Sequence, residues 1–163
     1  MSVQPLSGAG SVVVAAPAAL VLAALLDTDL LVSLIPGAER VERLGHGHFR
    51  AVLSFGVGGM RTRNTVELEV AGLDGPGALT LRGQADGTFG AGAATGQVAL
   101  TERIPGRTSI AWSYDGTVTG RWVRAGGPLL RFAAGMFVNR FFRALAARAR
   151  ALDGANPSTH PPS

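Results

Sequence analysis

Apolar and polar residues alternate every second position through most of the middle of this chain. From His48 to Val57, the residues Phe49, Ala51, Leu53, Phe55 and Val57 fall on one side. From Met60 to Leu73, Val66, Leu68 and Val70 oppose Glu67 and Glu69. Ala78–Thr88 sets Leu79 and Leu81 against Thr80 and Arg82, and Ala93–Arg103 turns Val98 and Leu100 inward. Thr108–Gly120 carries Ile110, Trp112, Tyr114 and Val118 on one parity. A period of two over successive segments predicts antiparallel strands with one buried and one wet face. Gly45-His46-Gly47, Gly58-Gly59, Asp74-Gly75-Pro76-Gly77 and Ile104-Pro105-Gly106 separate them as turns. Two further strands are expected at Ser7–Ala16 and Ala38–Leu44.

The remaining segments read as helices. Pro17 suits a first helical turn, where its missing N–H costs nothing, and Pro17–Asp27 is rich in Ala and Leu. A second short helix, Asp29–Leu34, stops at Ile35-Pro36-Gly37, because proline disfavours helix in the residue before it. From Pro128 to about Leu152 the only glycine is Gly135, and Ala, Leu, Phe and Arg dominate, so one long helix is predicted. The expectation is an α+β fold: a curved antiparallel seven-stranded sheet wrapped around a long C-terminal helix, with two short helices after the first strand. A curved meander needs a cover for its concave face, and only the last helix is large enough. Residues 1–153 are expected to form one domain, and 154–163 a disordered Pro-rich tail.

Composition narrows the function. The 163 residues are 47% hydrophobic, enough for one substantial core. The net charge of +4 comes entirely from arginines spread along the chain, with no nucleic-acid-binding signature beside them, so no nucleic-acid partner is expected. The absence of cysteine rules out disulfides, thiolate metal sites and a cysteine nucleophile, and fits the cytoplasm. Val12–Leu26 is apolar but shorter than a membrane span and interrupted by Pro17, and no basic segment precedes it.

No catalytic constellation stands out. His46 and His48 flank a turn without further ligands, so no metal is expected. The glycine-rich Gly83–Gly96 run lacks a phosphate-loop lysine, and no serine sits in a nucleophile elbow. Glu67 and Glu69 have outward parity.

The apolar residues are the better candidates. Four of the seven phenylalanines, Phe132, Phe137, Phe141 and Phe142, lie on the last helix. Leu129, Phe132, Ala133 and Met136 share one face there, and Phe137 and Phe141 extend it. That stripe is wider than packing on one sheet requires. Opposite it, Gly83, Ala85, Gly87, Gly92, Ala94 and Gly96 leave room. A ligand pocket lined by those helix residues with Phe55, Val57, Met60, Val66, Leu68, Leu81, Phe89, Trp112 and Tyr114 is the expectation; ordinary core is the alternative. Arg140, Phe142, Arg143 and Arg148 are the candidate membrane-facing group, the arginines serving otherwise only the helix dipole.

The order of segments resembles the helix-grip fold of START-related and pollen-allergen-like proteins. Within it, Leu34-Ile35-Pro36-Gly37-Ala38-Glu39, Phe49-Arg50-Ala51, Val57-Gly58-Gly59-Met60 and Leu81-Arg82-Gly83-Gln84-Ala85 resemble motifs of the CoxG family, which is associated with carbon monoxide dehydrogenase. So do Gly87–Gly92, continuing through Ala94, Gly96, Val98 and Leu100, and Trp112-Ser113-Tyr114-Asp115 with Gly116 and Gly120. The likeness covers roughly residues 8–150. Many members continue into a C-terminal segment taken to engage the membrane, where this chain has only its short tail. The resemblance implies a non-catalytic accessory protein of a molybdenum CO dehydrogenase, linking the enzyme to the membrane. It implies no cofactor, but a bound apolar ligand, a lipid or a respiratory quinone such as menaquinone. It also implies a cytoplasmic location that allows peripheral contact at the inner face of the cell membrane. The alternatives are an aromatase/cyclase-like enzyme of the same fold and a ligand-free peripheral membrane adaptor.

Overall fold

The computed structural model describes residues 3–57, 59–73 and 77–154, apart from the side chains of Phe55, Val57 and Met60. The expected tail at 155–163 lies outside the described residues, and the last helix runs on to Gly154.

Seven strands form one antiparallel sheet: β1 (Val3–Val14), β2 (Ala38–Gly45), β3 (His48–Val57), β4 (Met60–Ala71), β5 (Ala78–Gly87), β6 (Gly90–Ile104) and β7 (Arg107–Thr119). Their order is β1-β7-β6-β5-β4-β3-β2, a meander whose last strand pairs with the first. Two short helices, α1 (Ala18–Leu25) and α2 (Thr28–Leu34), carry the chain from one edge to the other. The long helix α3 (Gly127–Gly154) follows β7 through a short 3-10 turn, Gly120–Ala125, that the alternation pattern does not reveal. The sheet curves around α3, as the hydrophobic pattern requires.

Local chemistry explains the boundaries. Pro17 precedes α1 in an extended conformation, and the first free N–H of the helix, Ala18, donates to the Glu102 carboxylate at 2.6 Å. Asp27 caps α2 by accepting from Leu30 N–H at 3.2 Å, and Ile35 turns extended before Pro36. The β6–β7 hairpin closes at Pro105-Gly106, where Gly106 takes φ +81°, a conformation that favours glycine.

Two apolar clusters sit at opposite ends of the concave face. The larger joins Val14, Val98, Leu100, Ile110 and Trp112 of the sheet to α1, α2 and Phe142, Leu145 and Ala149 of α3. The smaller joins Trp122 and Leu130 to Leu6, Phe89, Val118 and Ala133. Thr108 is fully buried in the larger cluster's neighbourhood, and its hydroxyl donates to the Ala16 carbonyl at 2.7 Å.

Candidate ligand-binding site

The strand register assembles the inner face row by row. Leu79, Val98, Trp112 and Gly10 lie side by side across β5, β6, β7 and β1. The next row is Val70, Leu81, Gly96, Tyr114 and Gly8. Then come Phe49, Leu68, Gly83, Ala94, Gly116 and Leu6, and after them Ala51, Val66, Ala85, Gly92, Val118 and Gln4. Three adjacent strands therefore present Gly83, Ala94 and Gly116 together, between the two apolar clusters.

Ala94 has inward parity yet is exposed, so water reaches the concave face there. The backbone of α3 runs close to β1 and α1 but stands off from β4, β5, β6 and β7. The open stretch thus lies beneath the first half of α3. Val66, Leu68, Leu81, Phe89, Tyr114, Ala133, Phe137 and Phe141, all predicted as lining, are half-buried. Phe89 and Ala133 pack with the smaller cluster, and Leu81, Tyr114 and Phe141 with the larger. The expected lining also includes Phe55, Val57 and Met60, whose side chains lie outside the described residues.

Two glycines of β1 accommodate aromatic rings. The Tyr114 ring lies over Gly8, and the Trp112 ring over Gly10. Trp112 then stacks on Phe142, with centroids 4.2 Å apart and planes 11° from parallel. Phe141 meets Phe142 edge-on at 5.0 Å. Trp112 is consequently core rather than free lining, being buried by this stack. Burial also pushes the Tyr114 hydroxyl pKa upward.

Two expectations for α3 need correction. Phe142 does not face outward with Arg140 and Arg143: it is 6% exposed, because its side of the helix turns onto Trp112. Leu129, Phe132 and Met136 do not share a buried face with Ala133. All three are exposed, Phe132 by 64%, while Ala133 turns towards Trp122 and Leu130. At 100° per residue, Leu129, Phe132 and Met136 fall on the same side as exposed Arg140 and Arg143. Arg148 is exposed as well.

Polar groups on the inner face are few. On β4, β5, β7 and β6 as far as Leu100, the described inward positions carry Thr62, Asn64, Thr108 and Tyr114, and no carboxylate, imidazole or guanidinium. Thr62 and Asn64 are buried, and the sequence pattern marks only Asn64 as inward and polar. The convex face is the charged one. Arg50 Nη2 donates to Glu67 Oε1 at 2.8 Å, and His48 Nε2 stands 3.8 Å from Glu67 Oε2. The hydrogen bond from Arg50, with its charge, lowers the Glu67 pKa. Two shallow grooves lie on that side, one of about 430 Å³ over Arg82, Gln84, Thr95, Asp115 and Thr117 and one of about 380 Å³ over His46, His48, Glu69, Thr80 and Arg82. Among the described residues no three His, Cys, Asp or Glu side chains gather as a metal site, and no helix is long and apolar enough to cross a membrane.

Solved structures share this architecture. A conserved protein from Geobacillus kaustophilus is 24% identical with a TM-score of 0.81, covering 88% of this chain and 95% of its own. An aromatase/cyclase from Streptomyces sp. R1128 is 20% identical with a TM-score of 0.69, covering 90% and 94%. A START superfamily protein from Mycobacterium smegmatis is 16% identical with a TM-score of 0.68, covering 90% and 98%. At these identities the likeness concerns the fold. No curated protein sequence matches the chain. The sequence profile of the carbon monoxide dehydrogenase family CoxG matches residues 10–150, from the middle of β1 to the last turns of α3, and the chain belongs to that family.

Proposed function

We propose that this protein is a non-catalytic accessory partner of a molybdenum CO dehydrogenase. It holds an apolar ligand, a respiratory quinone such as menaquinone, between α3 and the small-residue rows of the sheet, and links the enzyme to the membrane. The observation that carries the ligand half is the inner row of Gly83, Ala94 and Gly116, open to water at Ala94 and flanked by apolar clusters at both ends. Closely packed interiors leave few such gaps, and an apolar gap is where an apolar molecule gains most from leaving water. Family membership supports the enzyme partner.

The membrane half rests on α3. Leu129, Phe132 and Met136 form an exposed apolar strip continued by Arg140 and Arg143. Apolar side chains backed by arginines suit the boundary of an anionic bilayer. The aromatase/cyclase reading fits less well, since acid–base chemistry wants ionisable groups beside the substrate, and the inner rows offer only Tyr114.

Mass spectrometry of organic extract from the purified protein tests the ligand. A quinone in about one-to-one ratio is expected; an empty extract together with no binding of quinone analogues refutes it. Sedimentation with vesicles containing anionic lipid tests the membrane contact. Phe132→Ala with Met136→Ala is expected to abolish sedimentation while preserving the fold, and unchanged sedimentation refutes it.

A further inference from the structure

Two inward side chains of β4 lack partners. Thr62 and Asn64 are each 4% exposed. Neither the Thr62 hydroxyl nor the Asn64 amide nitrogen has a hydrogen-bond partner among the described residues. Nearly all buried polar groups in folded proteins find one, and an unmet donor is expensive. Packing gives no reason for polarity here. The same face of β4 continues as Val66, Leu68 and Val70, and valine and leucine match threonine and asparagine in size. Asn64 is moreover given room: it lies over Gly87, where an added Cβ would stand 2.9 Å from Asn64 Cγ.

Position supplies the second observation. Asn64 pairs with Gly87 on β5, and the next row is Val66, Ala85 and Gly92. The polar pair therefore borders the open small-residue stretch. Side chains two apart on a strand share a face at about 7 Å spacing, which lets both reach one small group.

We infer that Thr62 and Asn64 form the polar anchor of the ligand site and select a neutral carbonyl-bearing molecule. This rests on the ligand-binding reading above and adds the chemistry of the ligand's polar end. The asparagine amide offers two donors and the threonine hydroxyl a third, so together they meet a carbonyl oxygen. They do not suit a carboxylate. No cation lies on the described inner face of β4, β5 or β7, and an ionised acid buried there would go unpaired. The site thus favours a quinone-like ring carbonyl over a fatty acid.

The test is calorimetric titration with three probes: 2-methyl-1,4-naphthoquinone, 2-methylnaphthalene and palmitate. The chain has no cysteine, so the quinone cannot add to a thiol. The wild type is expected to prefer the quinone over the hydrocarbon by about tenfold or more. Thr62→Val and Asn64→Leu are each expected to erase most of that preference, and Thr62→Ser to keep it. Ligand-free, both apolar variants are expected to melt no lower than wild type, since each removes an unmet polar group. Equal wild-type affinity for quinone and hydrocarbon overturns the anchor but leaves the ligand site standing. Binding of neither overturns both. Unchanged quinone preference in the variants, lower ligand-free melting, or tighter binding of palmitate than quinone also overturns the anchor.

Discussion

Phe142→Ala separates core from surface on α3. Phe142 is 6% exposed, stacked on Trp112 at 4.2 Å and edge-on to Phe141 at 5.0 Å. Deleting a buried phenylalanine side chain costs about 3–5 kcal/mol, through lost transfer energy and the cavity left behind. The two ring contacts add about 0.5–1.5 kcal/mol each in geometries like these. The expected loss is therefore about 4 kcal/mol or slightly more, lowering the melting temperature by roughly 8–16 °C for a domain of this size. Phe132→Ala, at a ring 64% exposed, is the control. It is expected to change stability by no more than about 0.5 kcal/mol. Urea denaturation followed by circular dichroism measures both, and tryptophan emission reports the Trp112 environment directly. A Phe142→Ala loss below about 1 kcal/mol, or a Phe132→Ala loss of comparable size, refutes the assignment of faces. The outcome governs membrane experiments too, because a binding defect in Phe142→Ala reports damage to the fold.

Three further outcomes follow from named contacts. Gly10→Ala places a Cβ 2.8 Å from Trp112 Cε2 and is expected to cost about 1–3 kcal/mol and shift near-ultraviolet circular dichroism; an unperturbed spectrum refutes the ring-on-glycine packing. Thr108→Val strands the buried Ala16 carbonyl, which now accepts at 2.7 Å, and is expected to cost about 1–3 kcal/mol by denaturant titration; a neutral change refutes it. Glu102 accepts from Ala18 N–H and Gly106 N–H, which hold its pKa below the usual 4.5. Its folded value is lowered, so its stabilisation is complete above about pH 4.5 and is lost as pH falls through that lower value. Wild type should therefore melt above Glu102→Gln at pH 7 and converge with it at pH 3; a constant gap refutes the linkage.

Most of the sheet was legible because each hairpin advertises itself locally. Val66-Glu67-Leu68-Glu69-Val70 alternates without a break, and Pro105-Gly106 has the chemistry of its turn. What escaped was whatever depends on distant pairing. Nothing near Gly8 or Gly10 says that Tyr114 and Trp112 will lie upon them, since that follows from β1 pairing with β7. The 3-10 turn at Gly120–Ala125 is too short to show a period, so nothing in the pattern marks Trp122 as the anchor of the smaller cluster. On α3 the error has a different origin. Its buried side moves from Leu130 and Ala133 near the start to Phe142, Leu145 and Ala149 near the end. A single helical stripe drawn along its length therefore mixes exposed with buried positions.

That shift bears on why the middle of the sheet stays open. Interiors close-pack, so a helix facing Gly83, Ala94 and Gly116 would ordinarily settle onto them. Bulky rings at both ends oppose that. Trp112 and Phe142 lie stacked between sheet and helix on one side, while Trp122 and Phe89 meet edge-on at 6.0 Å on the other. Each pair is wedged where its strand neighbours are small or its helix residues are large, and α3 rests on both. The rings act as spacers, and the glycine rows between them remain uncovered. Removing one spacer should therefore let that end of the helix collapse towards the sheet, and ligand affinity should fall even where stability is restored elsewhere. Trp112→Ala tests this when paired with an independent stabilising change: retained binding of 2-methyl-1,4-naphthoquinone at wild-type affinity would show that the gap does not depend on the spacer.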